Sequence, residues 1–494
     1  MSLAQSVAFP ASRAPASLAR AAGLILALIA VVLFAICLVS PSVLGDGDTW
    51  SHLATGDWII AHRVVPRVDP FSLWAPAAPP WTAHEWLSEI LLALAFRLAG
   101  WSGVVILTGL AAGVAVLVMG LRVARDLEGA ALGLVTALGA GLWLPSLLAR
   151  PHVLALPAMA LWVVGLLRAR DRGRAPPYGL AALMILWSNL HGGFIFGLAL
   201  IVPFAAEAVF EARPGGRFPA ARAWAAFAGA AAAAALVNPY GFEALLFPFR
   251  LMRVEHLSRI SEWRPQDFGA MGPFEAALLA LLGFALTRPV TMPVLRAALV
   301  AGLAAMALQH ARHAQLLGLI APMLLAEPIA RAIGVPRPAD WRSVARTALG
   351  ASAAFALSMG LVRLAAPLRP ADSPAAPGLA LGAVPADLRE KPVLNDYAFG
   401  GYLIWSHVRP FIDGRADMYG GDMLGLYLRL VSGNPATLEA ALRRFDIAWT
   451  IFAPGAAIVA TLDREPGWRR IYADAHAVVH MRDGAGQGPA LRGD

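Results

Sequence analysis

The sequence predicts an all-α polytopic membrane protein of about eleven transmembrane helices, with a small C-terminal α/β domain on the extracytoplasmic side. Three observations lead there. Of 494 residues, 58% are hydrophobic and only 15% charged, with a mean hydropathy of +0.62, whereas an ordinary soluble domain is about a quarter charged. Apolar stretches close to bilayer length recur as far as residue 365. The loops between them alternate in arginine content, as orientation by positive charge requires.

The apolar segments fall at 21–40, 102–121, 129–147, 153–168, 178–190, 193–211, 222–237, 271–287, 294–309, 314–330 and 347–365. With the N-terminus inside, the inner loops hold Arg122 and Arg125, then Arg168, Arg170, Arg172 and Arg174, then Arg213, Arg217 and Arg222, then Arg288 and Arg296, then Arg331, Arg337, Arg342 and Arg346. One outer loop departs from the rule, with Arg250, Arg253, Arg259 and Arg264. The formal net charge of +8 is therefore spread over short loop clusters rather than one patch, which argues against nucleic acid as a partner. Lys391 is the only lysine, and Ala, Arg, Gly and Pro are abundant, the composition of a GC-rich bacterial genome. That places the chain in a bacterial inner membrane. Cys37 is the single cysteine, so no intramolecular disulfide is expected. Arg13 and Arg20 precede the first apolar run, which is too long for a typical signal h-region and reads as a retained helix.

The opposite loops carry a different chemistry. They hold Asp46 and Asp48 directly after the first span, then His84-Glu85-Trp86, Arg150-Pro151-His152, Asn189-Leu190-His191-Gly192-Gly193, Asn238-Pro239-Tyr240-Gly241, Glu262-Trp263-Arg264 and His310-Ala311-Arg312-His313. Each has a plain structural reading, since Asn-Pro-Tyr-Gly and His-Gly-Gly stop helices well. Ionisable groups beside apolar spans are costly unless they face a cavity or one another. Seven such segments on one face, with none matching on the other, point to one outward-facing pocket lined by Asp48, His52, His84, Glu85, Arg150, His152, His191, Arg264, His310, Arg312 and His313.

The first outer loop, 41–89, is long enough to carry structure of its own. Trp50, Leu53, Trp58 and Ile59 space an amphipathic interfacial helix, Trp74, Trp81 and Trp86 suit the headgroup layer, and 84–98 reads as a second amphipathic helix entering the next span. After residue 365 the prolines 367, 370, 374 and 377 mark a linker, 366–384, followed by a soluble domain, 385–494. Strands are expected at 392–395, 410–413, 448–452 and 475–481, with helices at 423–430 and 435–445. Asp413-Gly414-Arg415 reads equally as a self-paired turn or as an acceptor contact.

A carboxylate at the membrane surface can serve as general base toward a hydroxyl, or hold a divalent metal through oxygen ligands. Arginines and histidines beside it suit a phosphate leaving group. Asp48-Thr49-Trp50-Ser51-His52-Leu53-Ala54-Thr55-Gly56, Pro66-Arg67-Val68-Asp69-Pro70-Phe71-Ser72, Trp81-Thr82-Ala83-His84-Glu85-Trp86-Leu87 and Asp396-Tyr397-Ala398-Phe399-Gly400-Gly401-Tyr402-Leu403 resemble a bacterial branch of the GT-C glycosyltransferases. That class includes protein O-mannosyltransferases and lipid A aminoarabinose transferases. The resemblance implies transfer of a sugar, with inversion, from a polyprenyl-phosphate donor to a lipid, glycan or protein acceptor outside the membrane. It assigns the base to Asp48, with Asp46 as second candidate or partner. The Asp-Gly-Asp spacing departs from the acidic pair usual in those enzymes and leaves metal dependence open. Two other classes remain: a lipid or glycan transporter, which would show an internal repeat and mid-helix charges, and a non-catalytic glycan-binding scaffold.

Overall fold

The computed structural model describes residues 16–77, 79–256, 261–334 and 340–485. Arg13, Arg259 and Arg337 lie outside these residues. Eleven helices correspond to the eleven apolar segments: α1 (Ala16–Val39), then, past α2 (Gly47–His62), α3 (Trp86–Val123), α4 (Gly129–Gly141), α5 (Pro151–Asp171), α6 (Tyr178–Leu190), α7 (Phe194–Glu211), α8 (Arg217–Ala235), and, past α9 (Phe242–Leu251), α10 (Pro273–Thr287), α11 (Val294–Gln309), α12 (Ala314–Ile333) and α13 (Trp341–Ala365). Among the described residues, seven helical stretches are long and apolar enough to cross a bilayer: α1, α3, α4 with its following turn, α5, α7, α12 with its preceding turn, and α13. Helices α6, α10 and α11 are apolar but shorter.

Helices α1 and α13 run parallel, because Gly23 lies against Thr347 near their starts and Arg363 donates to the Leu38 carbonyl near their ends, at 3.1 Å. An odd number of crossings between them follows, so the start of α1 and the C-terminal domain sit at opposite ends of the bundle. The outward faces of α10 and α13 present Leu279, Leu282, Phe355, Leu357 and Leu361 as exposed apolar side chains, the surface that lipid covers. At the end away from the C-terminal domain, several arginines sit in ion pairs. Arg122 holds Asp126 at 2.6 Å, and Glu207 of α7 takes Arg296 of α11 at 2.7 Å and Arg170 of α5 at 3.4 Å.

The expected amphipathic helix near Trp50 is α2, but its Trp50 face is turned to protein. Trp50 is buried in an aromatic cluster with Trp101 at 4.3 Å, Tyr402 at 5.0 Å and Trp405 at 6.2 Å. Four rings of complementary quadrupole hold it better than an interface would. Trp74 and Trp86 are likewise protein contacts, donating from their indole nitrogens to the Phe411 carbonyl and to Asn189 Oδ1, and Trp81 is buried. The helix expected from residue 84 begins at Trp86 and continues into the span, with a kink at Ala99 and Gly100.

Residues 378–485 form a four-stranded mixed sheet in the order β1-β2-β4-β3, with β1 (Val393–Asn395), β2 (Trp449–Phe452), β3 (Trp468–Ala473) and β4 (Val478–Arg482). Strands β1 and β2 pair in parallel and the rest antiparallel. One face packs on α14 (Gly378–Gly382), α15 (Ala386–Arg389) and α16 (Gly400–Trp405), and the other on α17 (Ala416–Val431), α18 (Pro435–Arg444) and α19 (Ala457–Leu462). Three expectations are corrected. The stretch 410–413 is not a strand, because the Asn395 side chain takes its backbone groups, accepting from Phe411 N and donating to the Ile412 carbonyl, both at 2.8 Å. Strand β3 was not expected, since its pattern of arginines and half-buried residues lacks an apolar alternation. Within the stretch read as linker, Ala380, Leu381 and Val384 belong to the domain core.

Candidate functional site

The site lies where the helix ends meet the C-terminal domain, and it is built from the first outer loop. Asp46 is the N-cap of α2, accepting from Asp48 N at 2.7 Å, an acidic cap that suits the positive end of the helix. This fixes both carboxylates beside Arg150, the N-cap of α5. The Arg150 guanidinium reaches Asp48 at 2.9 Å, Asp46 at 3.2 Å and Glu262 at 3.2 Å. Glu262 in turn takes Arg312 at 3.0 Å, which stacks over Trp263. Burial pushes the Asp48 carboxyl up to about 6, with Arg150 opposing and Asp46 adding to the rise. Burial would raise Glu262 too, but Arg150 and Arg312 overcome it and hold that carboxyl at about 2.

Beside this ion-pair network lies a group of histidines around Glu85. Its carboxylate stands 3.7 Å from His52 Nε2, 3.6 Å from His84 Nε2 and 3.3 Å from His191 Nε2. His52 also meets Glu89 at 3.0 Å. Burial lifts Glu85 to about 6 and lowers His52, His84 and His191. The His152 ring centroid is 6.2 Å from that of His191, and His152 Nε2 meets the Ser146 carbonyl at 2.8 Å. His310 and His313 form a further pair, ring to ring at 5.5 Å, with His310 bound to the Trp263 carbonyl.

Ten of the eleven residues expected to line one pocket thus fall into linked clusters at one end of the bundle. Arg264 is the exception: its side chain is exposed, and its backbone carbonyl accepts from Ala311 N at 2.9 Å. A solvent-facing loop position costs a guanidinium nothing in desolvation. The carboxylates do not fit a divalent cation. Asp46, Asp48 and Glu262 converge on a guanidinium instead, and among the described residues no group of three or more His, Cys, Asp or Glu is arranged to hold a metal.

Asp413-Gly414-Arg415 forms the self-paired turn that was one reading of the sequence, but its link across to the first outer loop was not foreseen. Arg415 is buried and forks to Asp413 through Nε and its terminal nitrogen at 2.8 and 2.7 Å, then crosses to Asp69 of the first loop at 2.6 Å. Asp69 also accepts from the backbone amides of Phe71 and Ser72 and from the Ser72 hydroxyl. Gly401 packs against the Gly47 carbonyl, with no room for a β-carbon. All four sequence motifs therefore meet in space. Glu89 was legible as one helical turn beyond Glu85, the spacing that puts both on one face.

No protein-family profile matches the sequence, and no curated protein does. Among solved structures, an archaeal oligosaccharyltransferase from Archaeoglobus fulgidus, in complex with an inhibitory peptide and a dolichol-phosphate, is similar over 87% of this chain and 69% of its own, with a TM-score of 0.54 at 12% identity. The chain has the GT-C fold. Asp48 follows the first helix and lies against Gly414 of the C-terminal domain.

Proposed function

We propose that this multi-pass membrane protein is a glycosyltransferase that moves a sugar from a polyprenyl-phosphate donor to an acceptor on the extracytoplasmic side, with inversion. The observation that carries the reading is Asp48: a desolvated carboxylate, clamped by Arg150 at 2.9 Å, at the seam between helix ends and soluble domain. Asp48 removes the proton from the acceptor hydroxyl. The oxygen bonds to the anomeric carbon on the face opposite the phosphate, and the electron pair of the breaking carbon–oxygen bond leaves on the lipid phosphate. Arg312 binds that phosphate through its guanidinium, with the histidines 152, 310 and 313 lining the place beside it, and the phosphate stays in the membrane with its prenyl chain. The solved oligosaccharyltransferase held a dolichol-phosphate and a peptide, a lipid-phosphate and an acceptor of the kinds proposed. Ionisable groups at helix caps, as with Asp46, Glu85, Arg150, His191 and His310, suit an interfacial site rather than a mid-membrane transport path.

Purified protein incubated with a panel of polyprenyl-phosphate sugars tests the reading. Release of free polyprenyl phosphate, with a new glycosidic bond of inverted configuration, is expected from at least one donor. Failure with every donor, or retention of configuration, overturns it.

A further inference from the structure

The contacts around Glu85 contain a shortage of hydrogens. Four nitrogen–carboxylate contacts link His52, His84 and His191 to Glu85 and Glu89, and each neutral ring carries one N–H. For His191 that hydrogen is on Nε2, because Nδ1 accepts from Gly193 N at 2.9 Å. His84 has it on Nδ1, because that atom faces the Thr82 carbonyl at 3.2 Å, which only accepts. Nε2 of His84 then points a lone pair at Glu85. His52 has one hydrogen for two carboxyl groups. With neutral rings and ionised carboxylates, two of the four contacts would set lone pair against lone pair in a desolvated place. A proton added on Glu85, or on a ring facing it, repairs one of them, and Glu85 touches all three rings.

We propose that Glu85, with His52, His84 and His191, forms a proton-holding site that takes up the proton Asp48 removes from the acceptor. The first half stands on contacts alone; the second rests on the glycosyltransferase reading. His52 sits one helical turn after Asp48 on α2, so the two face the same way, with β-carbons about 5–6 Å apart, a gap one water bridges. The acid form of Asp48 gives up its proton toward His52 and returns to carboxylate. The ring passes a proton to Glu85, and His84, on the Asp417 side of the cluster, offers the way out. Burial lifts Glu85 to about 6 and lowers the basicity of His52 and His84, so the shifts of ring and carboxyl run toward each other, the direction that eases proton transfer between them. The charged and titratable groups facing this cluster are Arg150, Arg312, Asp46, Asp48, Glu89, Asp417 and His152, and the charges are of both signs.

Infrared difference spectra of the full chain in lipid nanodiscs, between about pH 5 and about pH 8, test the holding site without donor or acceptor. The carbonyl band of protonated carboxyls should titrate near pH 6, lose the Glu85 component in Glu85→Gln while those of Asp48 and Asp417 stay, and regain it in Glu85→Asp. An unchanged band in Glu85→Gln overturns the site. In transfer assays, Glu85→Gln should lower turnover about tenfold or more with donor KM unchanged, and added imidazole should restore part of the loss. Wild-type turnover in Glu85→Gln, or a loss that imidazole does not touch and that leaves the pH profile unaltered, overturns the relay. Absence of transfer by the wild-type protein from every donor strikes the glycosyltransferase reading instead, and the infrared band then decides the site by itself.

Discussion

Gly414 of the C-terminal domain lies against the carboxylate of Asp48, so that a β-carbon built there would overlap its Oδ1. The soluble domain therefore forms one wall of the site. Gly414→Ala has no backbone strain to relieve, since this glycine is not among the positive-φ residues, so its effect is steric. The methyl group must displace Asp48 from Arg150 or lift the domain. Transfer should fall about tenfold or more while the protein still elutes as a folded species from size exclusion. Wild-type activity in Gly414→Ala means the wall is not closed during turnover.

Asp48→Asn keeps the shape and removes the proton acceptor, so turnover should fall by about two orders of magnitude, with donor binding retained. Asp46→Asn should be milder. Asparagine caps a helix as well as aspartate, so the Asp48 amide keeps its partner and only one of three carboxylates leaves Arg150. Rate and donor affinity measured side by side decide this, and equal, complete losses at both positions argue for a coupled pair rather than a single base.

A base works only when ionised. With the Asp48 carboxyl lifted by burial to about 6, turnover should be full above that pH and fall as pH drops through it, close to tenfold per unit below. Arg150 holds the carboxyl down against burial and Asp46. Its removal must move the acid limb upward, and the pH–rate profile of Arg150→Gln checks the sign. An unmoved or downward-shifted limb means that the limb belongs to another group.

Much of this was legible because membrane constraints write themselves strongly into sequence. Apolar runs found the eleven helices, and the cost of unpaired charge near lipid singled out Asp48, Glu85, Arg150 and Arg312. What was not legible depends on long-range pairing. Nothing local shows that Asp69 meets Arg415, 346 residues on, or that Trp50 finds Trp405 rather than a headgroup layer. The 410–413 stretch reads as a strand by composition, and it fails to be one only because Asn395 takes its backbone. Arg264 reads like Glu262 and Arg312 in the sequence, yet its side chain is exposed.

The alternation of basic loops, with α1 and α13 parallel, predicts that the C-terminal domain, at the end opposite the start of α1, lies outside the cell membrane. A reporter active only in the cytoplasm, fused after Gly488, a position outside the described residues, should stay silent. The same reporter in the loop holding Arg172 should be active. The reverse pattern inverts the orientation and removes the extracytoplasmic acceptor from the proposed reaction.

The pair Asp69 and Arg415 docks the soluble domain, and its loss should separate docking from chemistry. Both side chains are buried, and Asp69 lies 2.6 Å from the guanidinium that also forks to Asp413. Arg415 further stacks on Trp81 and Phe71 of the first loop. Asp69→Asn keeps an acceptor for the Phe71 and Ser72 amides, so the loop turn survives, but it leaves Arg415 one charge short in a buried place. Breaking such a pair costs about 3–5 kcal/mol. Because Gly414 adjoins Arg415, the domain wall should loosen over Asp48 even though Asp48 itself is untouched. Asp69→Asn should therefore melt earlier, be cut faster by protease in the 366–377 segment, and lose turnover. Arg415→Lys should act in the same direction, since an ammonium cannot fork to Asp413 and still reach Asp69. If both variants melt and resist protease like the wild type, the domain is held by its apolar contacts and this pair does not dock it.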